Sequence, residues 1–299
     1  MTTEHYGDPY AEQRALSQGV GAVDLSDRDV VAISGPDRLS WLHSLVSQHV
    51  ADLQPGDSTE ALVLNPQGHV EHHLHLVETG TEVLAHVEPG TGTELAAFLD
   101  RMRFMLRVEI AERDLAVTWL PGEAAGLGTR TGFGTYLLGA EAPATAGTLA
   151  YDALRVAAGR PRFGVDTDAK TLPQEVGWLG VAVHLDKGCY RGQESVARVY
   201  NLGRPPRRLV KLHLDGSDSE LPAVGAEVRL GDRVVGRSGT AVRHFEEGPL
   251  ALALLKRNVP EDAQLTVDGI AAAVEVIPDT VPESPARASA EARSGLLRF

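Results

Sequence analysis

Only one of the 299 residues is a cysteine, Cys189. A lone thiol excludes an intramolecular disulfide, and it cannot by itself hold an iron–sulfur cluster, which usually takes four thiolates. Aromatic residues are also scarce, at 5%, so the core must rest on Leu, Val and Ala. No apolar run approaches the roughly 18 residues that a membrane-spanning helix needs. Positive charge is in deficit: 28 Lys and Arg stand against 41 Asp and Glu, for a formal net charge of −13. Most of the surface therefore repels a phosphate backbone, which argues against nucleic acid as a partner, although a local basic patch could still hold a small anion. The first residues, from Met1 to Leu16, are polar and acidic, with no basic region leading into an apolar stretch. They do not read as a signal peptide, so a cytoplasmic location and no membrane partner are expected.

What the chain does contain is an irregular alternation of strand and helix signals. Asp24–Ile33 reads as a short β segment, followed by helix-start chemistry at Ser34-Gly35-Pro36-Asp37 and apolar residues Leu39, Leu42, Leu45 and Val46 at helical spacing. Strands are predicted at Ala61–Leu64, Val70–Val77, Glu82–Glu88, Leu106–Ile110 and Leu115–Leu120, with a helix over Thr93–Arg103. The Gly-, Ala- and Thr-rich stretch Pro121–Gly147 offers one short strand, Thr135–Leu138, among loops, before a helix at Tyr151–Ala158. After Pro205-Pro206, five β segments broken by Gly, Pro and Asp suggest a small antiparallel barrel or sandwich. The fold class is α+β. The expected organisation is an N-terminal unit over 1–150, a second part over 151–205, a β barrel or sandwich over 206–280 and a tail over 281–299.

The most informative stretch is Lys187-Gly-Cys-Tyr-Arg-Gly-Gln-Glu194. Its glycines allow close approach of the backbone, and a helix is predicted from about Gly192. Cys189 lies just ahead of that helix start, between Lys187 and Arg191, a setting that favours a reactive thiolate. A buried, inert cysteine is the alternative. This stretch resembles the K-G-C-Y-x-G-Q-E motif of the YgfZ family of folate-binding, iron–sulfur-associated proteins, relatives of the glycine-cleavage T-protein. Val23–Ser26, the Gly35–Leu42 region, Arg155 with Gly159–Gly164, Leu172–Val176, Asn201–Arg204, Gly236–Thr240 and Ala251–Ala253 follow in the family's order and spacing.

The resemblance implies a three-lobed ring of mixed α/β subdomains with a C-terminal antiparallel barrel, and residues 1–150 and 151–205 sharing a folate pocket. It implies tetrahydrofolate, or a one-carbon derivative, as ligand. Glu175 would hold the pterin edge as a bidentate acceptor; a carboxylate at a helix N-terminus is the plainer reading. Arg204 belongs to the same pocket, and Tyr190, Gln193, Glu194 and His72 are expected to line it. Arg207 and Arg208 could meet a glutamyl tail or form a solvated basic turn. Lys187 and Cys189 are the expected reactive pair. The implied function is an accessory factor for iron–sulfur cluster assembly or repair, with iron–sulfur proteins or their assembly machinery as partners. The alternatives are a tetrahydrofolate-dependent one-carbon transferase or demethylase, and a folate-free interaction module.

One departure argues against glycine cleavage. T-proteins carry an acidic pair after a turn glycine, whereas here Gly68 is followed by His69-Val-Glu-His-His-Leu-His75, with His72 and His73 at the matching positions. A neutral imidazole cannot stabilise a cationic intermediate as a carboxylate does. Period-2 alternation would put Glu71, His73 and His75 on one face, with ligand types suited to zinc or iron. A polar strand facing solvent or a pocket is the favoured reading, and no metal ligand is assigned.

Overall fold

The computed structural model describes residues 2–139, 143–202, 204–217 and 220–278; the expected tail at 281–299 lies outside them. The chain opens with a helix that the sequence reading missed, α1 (Pro9–Ser17). Asp8 Oδ1 accepts hydrogen bonds from the backbone N–H groups of Tyr10 (2.9 Å) and Ala11 (3.2 Å), and Pro9 fills the first turn. Asp-Pro is a recognisable helix start whose apolar stripe is simply short. Next come β1 (Val23–Asp24), β2 (Asp29–Ser34), α2 (Arg38–Leu45), β3 (Ser58–Leu64), β4 (Val70–Glu78), β5 (Glu82–Val87) and α3 (Gly92–Met102). Asp37 does not cap α2; its carboxylate is bound instead by the guanidinium and backbone N–H of Arg107. β6 (Glu109–Arg113), β7 (Val117–Leu120), β8 (Gly128–Thr131), β9 (Gly134–Leu138) and α4 (Thr148–Ala157) complete the first half.

These elements form two antiparallel sheets. One has the order β3-β4-β5-β2-β6, the other β1-β7-β9-β8. β8 falls in a stretch expected to be loop. It pairs with β9 across a short turn, where Gly and Thr weaken the strand pattern. α2 and α3 cover one face of the five-stranded sheet through Trp41, Leu42, Leu45, Leu95 and Leu99. The opposite face meets the second sheet and α4 through Val30, Ala32, Leu84, Trp119 and Tyr151.

The third unit is a closed antiparallel barrel of six strands in the order β10-β13-β12-β11-β14-β15, where β10 is Arg207–Leu214, β11 Glu227–Leu230, β12 Arg233–His244, β13 Gly248–Lys256, β14 Gln264–Val267 and β15 Ile270–Val276. The sequence suggested five strands because the last apolar segment looks continuous. It is a hairpin, turned at Asp268-Gly269, where both residues take positive φ. The α+β architecture with a C-terminal barrel is thus the fold of this chain. Among the described residues no helix is long and apolar enough to cross a membrane.

The motif loop and its helix, α5 (Gln193–Leu202), pack on the β3–β4 turn. Gly192 has φ +83°, and a Cβ there would lie 2.5 Å from the carbonyl oxygen of Asn65; Gly68, opposite, has φ +82° and no room beside Ser195. Both glycines are required by this backbone-to-backbone approach.

Candidate functional site: a cleft beside the histidine strand

A cleft of about 910 Å³ opens between β4, α3 and the 163–169 segment. Val70, Glu71 and His72 form one wall, Phe98 and Met102 another, and Phe163 and Asp168 a third. A β-bulge lies here: Val63 pairs with His72 but Leu64 with Val70, so Glu71 drops out of the strict alternation expected for β4. Glu71 and His72, neighbours in sequence, both reach the cleft as a result. His72 is buried, its ring lies 6.4 Å from that of Phe163, and its Nδ1 has no hydrogen-bond partner. Burial holds its pKa below the ordinary histidine value, against the pull of Glu94, so the ring facing the cleft is neutral.

Of the residues expected to hold a ligand, His72 is the one found in the lining. Glu175 is buried elsewhere. Its Oε1 accepts from the backbone N–H and Nε of Arg207, and its Oε2 from Arg207 (2.7 Å) and the N–H of Leu172 (3.0 Å). All four acceptor directions are filled, so in this arrangement no lone pair is left for a pterin edge. Arg207 also binds Asp168 (2.6 Å), and although burial opposes ionisation, these bonds hold that carboxyl down at about 2. Arg208 reaches Glu261 and the carbonyl of Val259. Neither arginine forms the solvated basic turn considered from sequence. Arg204 is exposed and is not part of the cleft wall.

The Lys187–Glu194 loop also differs from expectation. The Lys187 ammonium is buried and donates to the carbonyls of His43 and Val46, at the C-terminal end of α2. Burial lowers its pKa to about 8. It anchors the loop to the first unit rather than facing a substrate. Tyr190 is a core residue beneath Lys187, with its phenol pushed up to about 12 by burial. Gln193 closes the loop onto the Lys187 carbonyl, and Glu194 is exposed and paired with Arg198. Cys189 is exposed, but neither flanking cation is aimed at it: Lys187 holds carbonyls and Arg191 holds Glu71 at 2.7 Å.

Sequence reasoning gave Arg191 only as a cation flanking Cys189; it occupies the single free position of the motif yet is the motif residue that lines the cleft. It lies 5.7 Å from the ring centroid of Phe98. Phe98 and Phe163 were missed as lining residues because an aromatic in a helix stripe or loop reads as core. The arrangement is that of a binding site: two aromatic walls, a neutral imidazole with a free ring nitrogen, and a carboxylate and a guanidinium that neutralise each other.

Residues 207–283 match the family described as "CAF17, C-terminal beta-barrel domain". The aminomethyltransferase of Nostoc sp. is 30% identical over 221 residues, covering 73% of this chain and 47% of that protein. A putative chloroplastic transferase of Arabidopsis thaliana is 23% identical over 249 residues, covering 67% of this chain and 57% of the relative. A 126-residue match to the aminomethyltransferase of Nitrosococcus oceani, 30% identical, covers 33% of that protein. The chain thus spans between a third and somewhat over half of the length of these curated relatives. The crystal structure of the glycine cleavage system aminomethyltransferase T from Bartonella henselae superposes with a TM-score of 0.76 at 17% identity, over 93% of this chain and 91% of that one. The fold is therefore of the aminomethyltransferase type, with a CAF17-type C-terminal barrel.

Proposed function

We propose that this chain is a tetrahydrofolate-binding accessory factor, located in the cytoplasm, that assists iron–sulfur cluster assembly or repair. The carrying observation is the cleft beside β4. Its volume of about 910 Å³ lies within the range of small-ligand sites. Its lining combines Phe98 and Phe163 with the buried His72, whose Nδ1 has no partner in the protein. A flat heteroaromatic ligand with a hydrogen-bonding edge satisfies both features, by stacking and by donating to or accepting from the ring nitrogen. The similarity to aminomethyltransferases and to the CAF17-type barrel supports a folate as that ligand. Arg101, exposed at the cleft mouth, supplies a cation for a carboxylate tail.

Aminomethyl transfer is disfavoured by the same wall. The carboxylate nearest the expected acidic position is Glu71, and Arg191 neutralises it. Glu175 and Arg207, in place of a direct ligand contact, brace the wall segment that carries Asp168. The exposed Cys189 is the residue proposed to meet the iron–sulfur partner.

Anaerobic calorimetric titration of tetrahydrofolate into the full chain tests the reading. Saturable one-to-one binding that weakens at least about tenfold in His72→Ala is expected, since a buried hydrogen bond and its packing are worth about 1.5 kcal/mol. Absence of heat, with no competition by folinic acid, ends it. Turnover of tetrahydrofolate to a one-carbon derivative with an amine donor would instead establish a transferase. Cys189→Ala is expected to fold and bind folate normally while failing to restore iron–sulfur enzyme activities in cells lacking the protein. Full restoration would remove the thiol from the function.

A further inference from the structure

On the face of the five-stranded sheet away from α2 and α3, four polar residues stand together. Cross-strand pairing places Glu60 opposite His75, His75 opposite His86, and His73 one step along β4. All four are buried. Glu60 Oε2 lies 3.0 Å from His73 Nε2, while Glu60 Oε1 is held by Arg160 at 2.7 Å. One ligand-type atom from each of Glu60, His73 and His75 lies within 4.8 Å of the others. The rings of His75 and His86 stack at 4.5 Å, and Trp178 covers His73 at 4.5 Å. These residues surround a cavity of about 20 Å³ lined by Glu60, His73, His75 and Tyr136, which is room for a single water-sized occupant.

The polar accounting here does not close within the protein. His75 Nδ1 and both ring nitrogens of His86 are buried without a partner. Native interiors rarely leave such groups unmatched unless an ion or water completes them. We propose that Glu60, His73 and His75 form a binding site for one zinc-class divalent metal ion, separate from the folate cleft. Two imidazoles and one carboxylate, with an open position for water, are a ligand set that zinc uses. The ligands come from adjacent strands of one sheet, so their spacing is fixed before the ion arrives. To bind the ion, His73 Nε2 must be free of its proton: the neutral ring carries its one proton on Nδ1, and any proton beyond that leaves to solvent. Arg160 keeps Oε1 and orients the carboxylate from behind.

Charge selects among ions. Arg28, Arg155, Arg160 and Arg162 line the cavity, and Glu60, Glu88, Asp152 and Asp166 pair with them, so the formal charges cancel. Nothing is left over to attract Ca²⁺ or Mg²⁺, which rely on oxygen ligands and anionic charge. An ion held by coordination to nitrogen is favoured instead. A second grouping, His213 with Glu247 and Glu275, differs in kind: it is more exposed, and Lys211 already holds both carboxylates.

The test is zinc titration of the chelator-stripped full chain against a chromophoric competitor, with X-ray absorption at the zinc edge on the loaded wild type. Expected are one zinc per chain, two imidazole ligands at about 2.0–2.1 Å, and no competition from excess Mg²⁺. Affinity should fall at least about tenfold in His75→Ala and Glu60→Gln, and stay unchanged in His213→Ala and His72→Ala. No stoichiometric zinc, or zinc lost in His213→Ala but retained in His75→Ala, overturns the proposal. Should His75→Ala fail to fold, the wild-type spectrum decides: a shell without two imidazoles overturns it. Loss of folate binding in His72→Ala leaves these readouts untouched, so the two readings fail separately.

Discussion

The two faces of the five-stranded sheet are both buried, yet they are built on opposite principles. Toward α2 and α3 the face is apolar except at His72, on its edge beside the cleft: Val31, Ile33, Ala61, Val63, Leu74, Leu76, Ala85 and Val87 pack there with no polar side-chain atom among them. Toward the other two units it carries Glu60, His73, His75 and His86, set against Tyr136, Tyr151, Trp178 and a group of ion-paired arginines. The apolar face needs only volume and shape. The polar face needs every donor and acceptor matched, and a mismatch there costs more than a methylene elsewhere. The first arrangement supplies stability. The second ties the sheet to what surrounds it: Arg160 binds Glu60 and Arg162 binds Glu88, while Arg155 of α4 binds Asp166 and Thr240 of the barrel.

Breaking each face in turn sharpens the contrast. Arg155→Met should have the largest effect, about 3–5 kcal/mol, because it leaves buried carboxylates without their partner; chemical denaturation measures it. A loss under about 1 kcal/mol would mean the network is dispensable to assembly. On the apolar face, Leu74→Ala is expected to cost about 2–5 kcal/mol with no change in the pH dependence of stability.

Acid should separate the faces next. Burial, followed by neighbouring cations and imidazoles, holds His75 and His86 well below the usual histidine pKa. Above about pH 6.5 both folded and unfolded chains carry these rings neutral, so they add no pH dependence. Below it the unfolded chain takes up protons that the folded chain refuses, and stability falls as pH drops, by up to about 1.4 kcal/mol per pH unit for each ring. Thermal unfolding between pH 7 and 5 should show this slope, and His86→Leu should reduce it by one ring's share. The smallest effect is that same variant at pH 7.5. Because neither nitrogen of His86 has a partner, replacement by Leu should be neutral or stabilising by about 1 kcal/mol. A loss above about 2 kcal/mol would show that His86 has a polar partner the protein alone does not provide.

Much of the architecture was legible. The periodicities of β4, β5, α3 and α4 reproduce to within a few residues, because each buries one continuous apolar face that repeats at the period of its own element. The failures are local and have causes. α1 hid behind a short stripe, and the β14–β15 turn behind a run of small residues that suits strand and turn alike. The site was less legible. His72 was found because strand alternation puts it beside apolar neighbours. Arg191 was named as a neighbour of Cys189 but missed as a lining residue, because nothing marks which side chain of a loop turns inward. Glu175 and Lys187 were identified as functional groups, but their bonding partners, Arg207 and the α2 carbonyls, lie 32 and 141–144 positions away. No spacing rule reaches that far.

By itself, then, the sequence determined the secondary-structure periods, the α+β class, an all-β C-terminal unit and the presence of an unusual histidine strand, because these follow from local sterics and from the alternation of apolar and polar residues; closure into a six-stranded barrel was decided by the fold. Tertiary structure alone decided which polar groups neutralise one another: Glu175 with Arg207, Glu71 with Arg191, Lys187 with two carbonyls, and Glu60 with His73 and Arg160. Charge pairing depends on distances below about 4 Å between side chains distant in sequence, and only the folded chain sets those distances.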